Sequence, residues 1–244
     1  MIDEKMIKLL VSPQSIEEVY EVLEGKADII DIKRPAEGSL GANFPWIIKK
    51  VREIIPKEIE LSATLGDLPN LPGTASLAAL GLAHCGVNYI KAGIKGPKTK
   101  KDAIFLMKQI YHAVHDYDPS IKIVAAGYAD AERFGGVSPL LIPDIAAESN
   151  SDIAMLDTAI KDGKRLFDFL SISELTQFVE KAHSYGLQAA LAGSIRKEDL
   201  KPLIQIRPDI IGLRGAACEN NDRLKGQIRS AKVRELVEIV KSSA

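Results

Sequence analysis

The sequence predicts a single (β/α)8 barrel, also called a TIM barrel, and three observations support this prediction. Short apolar or β-branched runs alternate along the chain with longer amphipathic stretches, and about eight such pairs can be counted. The short runs are apolar on both faces, which is typical of parallel strands covered by helices. No linker-like or low-complexity tract divides the 244 residues, so we predict one catalytic domain over residues 1–244.

The candidate strands are, in order, KLLVS, IIDIK, IELSATLG, YIKAG, KIVAAGY, IAMLDT, QAALAG and IIGLRG. Two of the intervening helices have clear start signals: Ser15 and Glu18 form a capping-box pattern, and Asn43 can cap a helix whose first turn includes Pro45. An open doubly wound sheet is the alternative fold. The first strand is followed by PQSIEEV rather than by a Gly-rich dinucleotide-binding loop, so the barrel is favoured.

Composition indicates a globular protein that acts on small molecules. Hydrophobic residues make up 46% of the chain and charged residues 27%, and 32 basic residues nearly balance 33 acidic ones. A net charge of −1 gives no basic surface for nucleic acid or anionic membranes, and no apolar run is long enough to span a bilayer.

We therefore expect a cytoplasmic protein with reduced thiols at Cys85 and Cys218. Barrels of this size commonly associate through helix faces, so we also expect a homo-oligomer.

Charged side chains stand at the carboxyl ends of three even-numbered strands, where barrels place their chemistry. The second candidate strand ends with Asp31 and Lys33, which share one face because side chains alternate along a strand. The fourth strand carries Lys91, and the sixth ends at Asp157, with Lys161 in the loop that follows. Even-numbered strands supply alternate layers of a barrel interior, so these side chains can converge on one pocket.

The lysines allow two interpretations. Each can pair with a carboxylate as a buried salt bridge, or extend to solvent at the rim. An excess of lysines over carboxylates favours a reactive site instead, since neighbouring ammonium groups lower one another's pKa and a neutral amine can attack a carbonyl. The four histidines fall in helical patterns without HExxH or CxxC motifs, so we expect neither a metal ion nor a cofactor.

Two loops near the end of the chain have the character of a phosphate site. Gly193 and Ser194 follow the seventh strand, and Arg214, Gly215 and Ala216 follow the eighth, which is where barrels commonly bind phosphate through backbone N–H groups. Arg214 can add a charge-assisted hydrogen bond. The Gly-rich stretch at residues 38–43 is a second possible anion-binding loop, although ordinary turns also use glycine.

Several stretches of the sequence are together distinctive, namely DIKRPAEGSLGANFPW, SATLGDLP, PGTASLAA, YIKAG, VAAGYADA, AMLDTAIKDGK, LFDF, AHSYGL, ALAGSI and GLRGAAC. They resemble the archaeal (5-formylfuran-3-yl)methyl phosphate synthase family of methanofuran biosynthesis, also called 4-(hydroxymethyl)-2-furancarboxaldehyde-phosphate synthase. The resemblance covers nearly the whole chain. The segment ENNDRLKGQIR departs from it, because its counterpart in the family cannot be placed.

The resemblance implies a lyase of the class I aldolase type. It would condense two molecules of glyceraldehyde 3-phosphate into a phosphorylated furan aldehyde, with loss of one phosphate and of water. By position, the Schiff-base lysine of the family falls on Lys33, its two other active-site lysines on Lys91 and Lys161, and its two carboxylates on Asp31 and Asp157.

Two other functions remain open from the sequence. A reversible sugar-phosphate aldolase of the deoxyribose-phosphate type shares the barrel and the lysine chemistry, but usually carries its lysine on the sixth strand, which here ends in Asp157 and Thr158. A non-catalytic phosphosugar-binding barrel would need the phosphate loops but not three lysines. Trapping of a covalent adduct separates this binding protein from the aldolase-like enzymes.

Overall fold

In the computed structural model, which describes residues 6–242, eight parallel strands close into a barrel in which β1 pairs with β8. The strands are β1 (Lys8–Val11), β2 (Ile29–Ile32), β3 (Glu60–Leu68), β4 (Tyr89–Ile94), β5 (Lys122–Tyr128), β6 (Ile153–Asp157), β7 (Gln188–Leu191) and β8 (Ile210–Leu213). They alternate with α1 (Ile16–Glu24), α2 (Pro45–Ile54), α3 (Pro72–Ala83), α4 (Lys100–His115), α5 (Ile142–Glu148), α6 (Ile172–Ser184), α7 (Leu200–Ile206) and α8 (Ser230–Ser242). The predicted barrel is confirmed, and the open sheet is excluded.

Alternation along the strands separates two apolar layers. One set of strand side chains, which includes Leu9, Ile30 and Ile90, is fully buried in a core shared with the helices. The other set fills the inside of the barrel and consists mainly of Leu10, Ile29, Tyr89, Val124, Ile153, Met155, Ala190 and Ile210. Toward the carboxyl ends of the strands the inward-facing side chains become polar. The barrel interior is therefore packed with apolar side chains, and charged side chains lie at its carboxyl-terminal end.

The start of α1 agrees with the sequence only in part. Ser15 is the N-cap residue and accepts a hydrogen bond from the Glu18 backbone N–H at 3.4 Å. The carboxylate of Glu18 does not complete the capping box. It accepts a hydrogen bond from the Gln14 N–H at 2.8 Å and pairs with Arg214 inside the protein.

The prediction for the start of α2 is wrong about the cap and right about proline. Phe44 is the N-cap residue, and Pro45 occupies the first turn. Asn43 lies one residue earlier, where its side-chain N–H groups donate to the carbonyl oxygens of Gln14 and Lys33 at 3.1 and 3.3 Å. Asn43 therefore fixes the backbone of a candidate catalytic residue instead of capping the helix.

Both cysteines are buried free thiols. Within residues 6–242, none of the helices combines the length and the apolar composition needed to cross a lipid bilayer.

Candidate active site

A cavity of about 430 Å³ opens at the carboxyl ends of the strands. All of the predicted site residues line it except Asp31, namely Lys33, Lys91, Asp157, Lys161, Gly193, Ser194, Arg214, Gly215 and Ala216. Asp31 is fully buried beside the cavity wall. The structure therefore brings the charged strand ends and the loops predicted to bind phosphate into one site.

Lys91 and Asp31 form a buried ion pair across two strands. The Nζ of Lys91 lies 2.5 Å from Oδ2 of Asp31, and the same oxygen accepts a hydrogen bond from the Ser12 hydroxyl at 2.8 Å. Burial alone would raise the pKa of Asp31, but the ammonium groups of Lys91 and Lys33 and the Ser12 hydroxyl hold it below its usual range. Asp31 is therefore an ionised counter-ion for Lys91.

Lys161 and Asp157 form the second ion pair, which lines the cavity. The Nζ of Lys161 lies 2.6 Å from Oδ1 of Asp157 and donates to the Thr158 hydroxyl at 2.9 Å. Burial opposes the ionisation of Asp157, but the charges of Lys161 and Lys33 and the hydrogen bonds from Lys161 and the Thr158 N–H lower its pKa to about 2. Asp157 is therefore ionised at neutral pH.

Lys33 differs from the other two lysines because its amine is unpaired. Its side chain is only 7% exposed and reaches the cavity. Among residues 6–242, no carboxylate lies within 4.0 Å of its Nζ and no group accepts a hydrogen bond from it. Burial lowers the pKa of Lys33 to about 7, since the attraction of Asp157 and Asp31 is offset by repulsion from Lys91 and Lys161. A substantial fraction of the amine is therefore neutral at physiological pH.

Asp130 holds the loop that carries Lys161, a role that the sequence does not reveal. Its buried carboxylate accepts hydrogen bonds from the backbone N–H groups of Ala159 and Ile160 at 2.6 and 2.9 Å. These bonds tie the loop after β6 to the end of β5. Asp130 lies 27 residues before Asp157 in the chain, and no local motif marks it.

The loop after β7 presents free backbone donors to the cavity. Gly193 and Ser194 both have positive φ angles, of 118° and 53°. A Cβ at Gly193 would lie 3.2 Å from Thr158, so glycine is required there for close approach as well as for conformation. Within the described part of the chain, no acceptor bonds the N–H groups of Ser194, Gly215 or Ala216. These donors suit a phosphate.

The side chain of Arg214 faces inward and forms its ion pair and hydrogen bonds with other groups of the protein. Its guanidinium pairs with both carboxylate oxygens of Glu18, at 2.7 and 3.0 Å, and donates to the carbonyl oxygens of Ser12 and Arg223, each at 2.8 Å. Both members of the pair are buried. The predicted phosphate contact of this side chain stays a prediction, and its observed bonds give it a structural role.

Removal of Arg214 is expected to destabilise the protein strongly. In Arg214→Ala, Glu18 remains buried without its counter-ion, which costs about 3–5 kcal/mol of unfolding free energy. Denaturant unfolding measures this loss. Arg234→Ala is the matched control, because Arg234 and Glu24 form a largely exposed pair at 3.5 Å and should contribute little. A normally stable Arg214→Ala variant with weakened phosphate binding would contradict the structural role.

Two backbone donors of the Gly-rich loop at residues 38–43 already have an acceptor within the protein. The backbone N–H groups of Ser39 and Leu40 both donate to the Asp67 carboxylate, each at 3.2 Å. Asp67 also accepts a hydrogen bond from the Tyr128 hydroxyl. These two N–H groups are therefore bound by a side chain of the protein, and a phosphate elsewhere on this loop stays a prediction.

A family model described as 4-HFC-P synthase matches residues 9–237 of the chain. The chain belongs to this family. A curated relative from Methanocaldococcus jannaschii, named (5-formylfuran-3-yl)methyl phosphate synthase, is 56% identical over 233 residues, which cover 96% of this chain and 99% of the relative. A relative of the same name from Methanopyrus kandleri is 52% identical over 231 residues, covering 95% and 98%. The family resemblance carried by the sequence motifs is confirmed.

Solved structures with distant sequences share the fold of this member of the 4-HFC-P synthase family. The 3-hexulose-6-phosphate synthase of Salmonella typhimurium aligns with a TM-score of 0.69 at 13% identity, covering 98% of this chain and all of that chain. KGPDC from Streptococcus mutans aligns with a TM-score of 0.67 at 12% identity, covering 97% of this chain and 98% of that chain. At these identities the likeness shows the barrel fold alone.

No cluster of three or more His, Cys, Asp or Glu side chains within residues 6–242 is arranged to hold a metal ion. His112 and His115 lie in α4 and His183 in α6, as predicted, while His84 follows the last residue of α3. A reaction without metal or cofactor stays a prediction.

Proposed function

We propose that this protein is a lyase of the class I aldolase type that condenses two molecules of glyceraldehyde 3-phosphate into (5-formylfuran-3-yl)methyl phosphate, with loss of one phosphate and of water, in methanofuran biosynthesis. The state of Lys33 supports this proposal most directly. Its amine is buried in the cavity, lacks a contacting carboxylate in the described chain, and has its pKa lowered to about 7. Such an amine is a nucleophile at neutral pH.

In this mechanism one triose phosphate first isomerises to its ketone form. The lone pair of the Lys33 Nζ attacks the carbonyl carbon, and the carbonyl oxygen leaves as water after it has accepted protons, which gives an iminium. The second triose phosphate loses a proton from carbon 2 and inorganic phosphate from carbon 3, and carbon 3 of the enol that remains attacks the iminium carbon, whose electron pair moves to the nitrogen. The free hydroxyl of the first triose then attacks the ketone carbon of the second to close the ring, and loss of one water and of the Lys33 amine makes the ring aromatic and regenerates the enzyme.

The two ion pairs, Asp157 with Lys161 and Asp31 with Lys91, have different proposed roles. Asp157 and Lys161 both line the cavity and lie 2.6 Å apart, so they can pass protons to and from substrate oxygens. Lys91 also lines the cavity, whereas Asp31 is fully buried and bonded to it. We therefore assign Asp31 a positioning role that it exerts through Lys91.

One substrate phosphate is proposed to bind at the loops after β7 and β8. The unbonded N–H groups of Ser194, Gly215 and Ala216 supply its donors, and the rim position of these loops leaves the carbonyl end of the substrate free to reach Lys33. An aldolase of the deoxyribose-phosphate type is less well supported, because β6 ends in Asp157 and carries no lysine.

The decisive experiment is borohydride trapping with glyceraldehyde 3-phosphate, followed by peptide mass spectrometry. We expect one reduced adduct on Lys33. Its rate of formation should fall about tenfold per pH unit below pH 7 and level off above, because the amine must be deprotonated and burial lowers its pKa to about 7. An unmodified protein, or an adduct on another lysine, would overturn the proposed mechanism. A non-catalytic phosphosugar-binding barrel would give the unmodified result.

A further inference from the structure

The segment at residues 219–227, which the family motifs leave unassigned, forms part of the cavity rim between β8 and α8. Its two ends are joined by the N–H of Glu219, which donates to the carbonyl of Gln227 at 2.9 Å, and by an antiparallel bridge between Cys218 and Ile228. Five of its residues line the cavity, namely Asn220, Asn221, Asp222, Arg223 and Leu224. The sequence between β8 and α8 is therefore a closed loop that faces the active site.

Arg223 occupies a fixed place in this loop. Its carbonyl oxygen accepts a hydrogen bond from Nε of Arg214 at 2.8 Å, and Arg214 is itself held by Glu18. On the other side, the Asp222 carboxylate accepts hydrogen bonds from the N–H groups of Leu224 and Lys225 at 2.9 and 3.0 Å. The backbone that carries the Arg223 side chain is thus anchored to the barrel.

The guanidinium of Arg223 has no counter-ion at contact distance. Among residues 6–242 it makes one long hydrogen bond, from Nη2 to the carbonyl oxygen of Gly38 at 3.5 Å, and no carboxylate lies within 4.0 Å. Burial lowers the pKa of Arg223, while the more distant Asp157 and Asp67 oppose this effect. A partly buried cation that lines a cavity without a paired acid is available to an anionic ligand.

The contrast with the other cations of the site is clear. Lys91 pairs with Asp31, Lys161 with Asp157, and Arg214 with Glu18. Arg196, a further cation that lines the cavity, is largely exposed and lies 3.9 Å from Glu198. Among residues 6–242, the cavity-lining cations without a carboxylate within 4.0 Å are therefore Lys33 and Arg223. A guanidinium is always charged and binds phosphate oxygens in a bidentate manner, which suits it for binding rather than for nucleophilic attack.

The side chain of Arg223 starts beside the loop after β8 and ends at the loop after β2. Its Cβ lies near Gly215, at 4.0 Å from where a Cβ would stand on that glycine, and its tip reaches Gly38 in the loop after β2. Ser194 lies in the loop after β7, on the other side of the loop after β8. The negative charge of Asp67 near the tip is already bonded by Ser39, Leu40 and Tyr128.

We propose that Arg223 forms a second anion site, between the 219–227 segment and Gly38, which binds the phosphate monoester of the second triose. The identity of this ligand rests on the proposed function, while the anion site itself does not. Two phosphorylated substrates in one cavity need separate phosphate sites, because two dianions repel each other at short range. Arg223 therefore determines specificity for a phosphorylated second substrate.

Calorimetric titration with inorganic phosphate at low ionic strength tests the site without turnover. Wild-type protein is expected to bind two phosphates per chain and Arg223→Gln only one, while Arg223→Lys keeps two with weaker affinity. Lys225→Gln is the matched control, because it removes an exposed positive charge from the same loop and should leave both sites intact. Equal stoichiometry in wild type and Arg223→Gln, or a single site in wild type, would overturn the proposal.

Kinetics with glyceraldehyde 3-phosphate extend the test to the substrate. In Arg223→Gln the substrate concentration for half-maximal furan formation should rise about tenfold to a hundredfold, as expected for loss of a charge-assisted hydrogen bond. Formation of the first borohydride-trapped adduct should stay close to the wild-type rate. Equal loss of adduct and product would place Arg223 on the first substrate and contradict the proposal. Two phosphates bound without any Lys33 adduct would instead reject the proposed function and retain the anion site.

Discussion

Lys33→Arg is expected to abolish both the borohydride-trapped adduct and furan product, with turnover reduced by on the order of a thousandfold or more. The guanidinium keeps the positive charge but is never deprotonated near neutral pH, so it cannot attack a carbonyl. Because the Lys33 Nζ has no contacting carboxylate in the described chain, the substitution breaks no ion pair. The variant should therefore fold normally and fail only in chemistry.

Lys122→Arg provides the control for the general effect of exchanging lysine for arginine. Lys122 begins β5, at the end of the barrel away from the cavity, and lies over the Tyr89 ring at 5.3 Å. This variant should retain wild-type adduct formation. If Lys33→Arg kept even a modest share of turnover, the Schiff base would belong elsewhere, and Lys91, which also lines the cavity, would be tested next.

Lys91→Met is expected to reduce both stability and activity. The substitution leaves the fully buried Asp31 without its 2.5 Å partner, which costs about 3–5 kcal/mol of unfolding free energy. It also removes a positive charge that lowers the pKa of Lys33 and frees a negative charge that raises it. The pKa of Lys33 should rise, so the pH profile of adduct formation moves to higher pH and the rate at pH 7 falls.

The double variant Asp31→Asn/Lys91→Met separates the two effects of the pair. It removes both charges together, so much of the lost stability should return, while loss of the Lys91 amine from the cavity keeps turnover low. Denaturant unfolding and the pH profile of trapping, measured on wild type and both variants, give both quantities. A Lys91→Met variant with an unshifted profile would show that Lys91 does not tune Lys33.

The fold could be predicted because its signals are local. Strands that are apolar on both faces and helices with caps recur along the chain, and their alternation suffices for the barrel. The shared face of Asp31 and Lys33 likewise follows from the period of a strand. The mistaken cap at Asn43 has a local origin too, since a side chain that suits an N-cap is drawn instead to the carbonyls of Gln14 and Lys33.

The ion-pair partners within the site could not be predicted from the sequence, because they depend on the register of the strands and on side-chain rotamers. Asp31 stands two residues from Lys33 in the chain, yet its ion-pair partner is Lys91, 60 residues away. Glu18 fits a capping box so well that nothing in its neighbourhood points to Arg214, which lies 196 residues further on. Arg223 belongs to a segment without a recognised counterpart, so only the three-dimensional structure places it at the cavity.

The proposed placement of the phosphate donors in the loops after β7 and β8, rather than at Lys33, affects how substrate binding and protonation are coupled. A bound dianion stabilises an ammonium, and by thermodynamic reciprocity a protonated lysine attracts the dianion. Direct contact between the phosphate and Lys33 would thus strengthen substrate binding. By the same free energy it would keep Lys33 protonated, and a protonated amine cannot attack a carbonyl. In the proposed arrangement, donors in the loops after β7 and β8 attract the phosphate while they keep its charge away from the amine. The proposed placement of the phosphate thus uncouples binding of the substrate from protonation of the amine that attacks it.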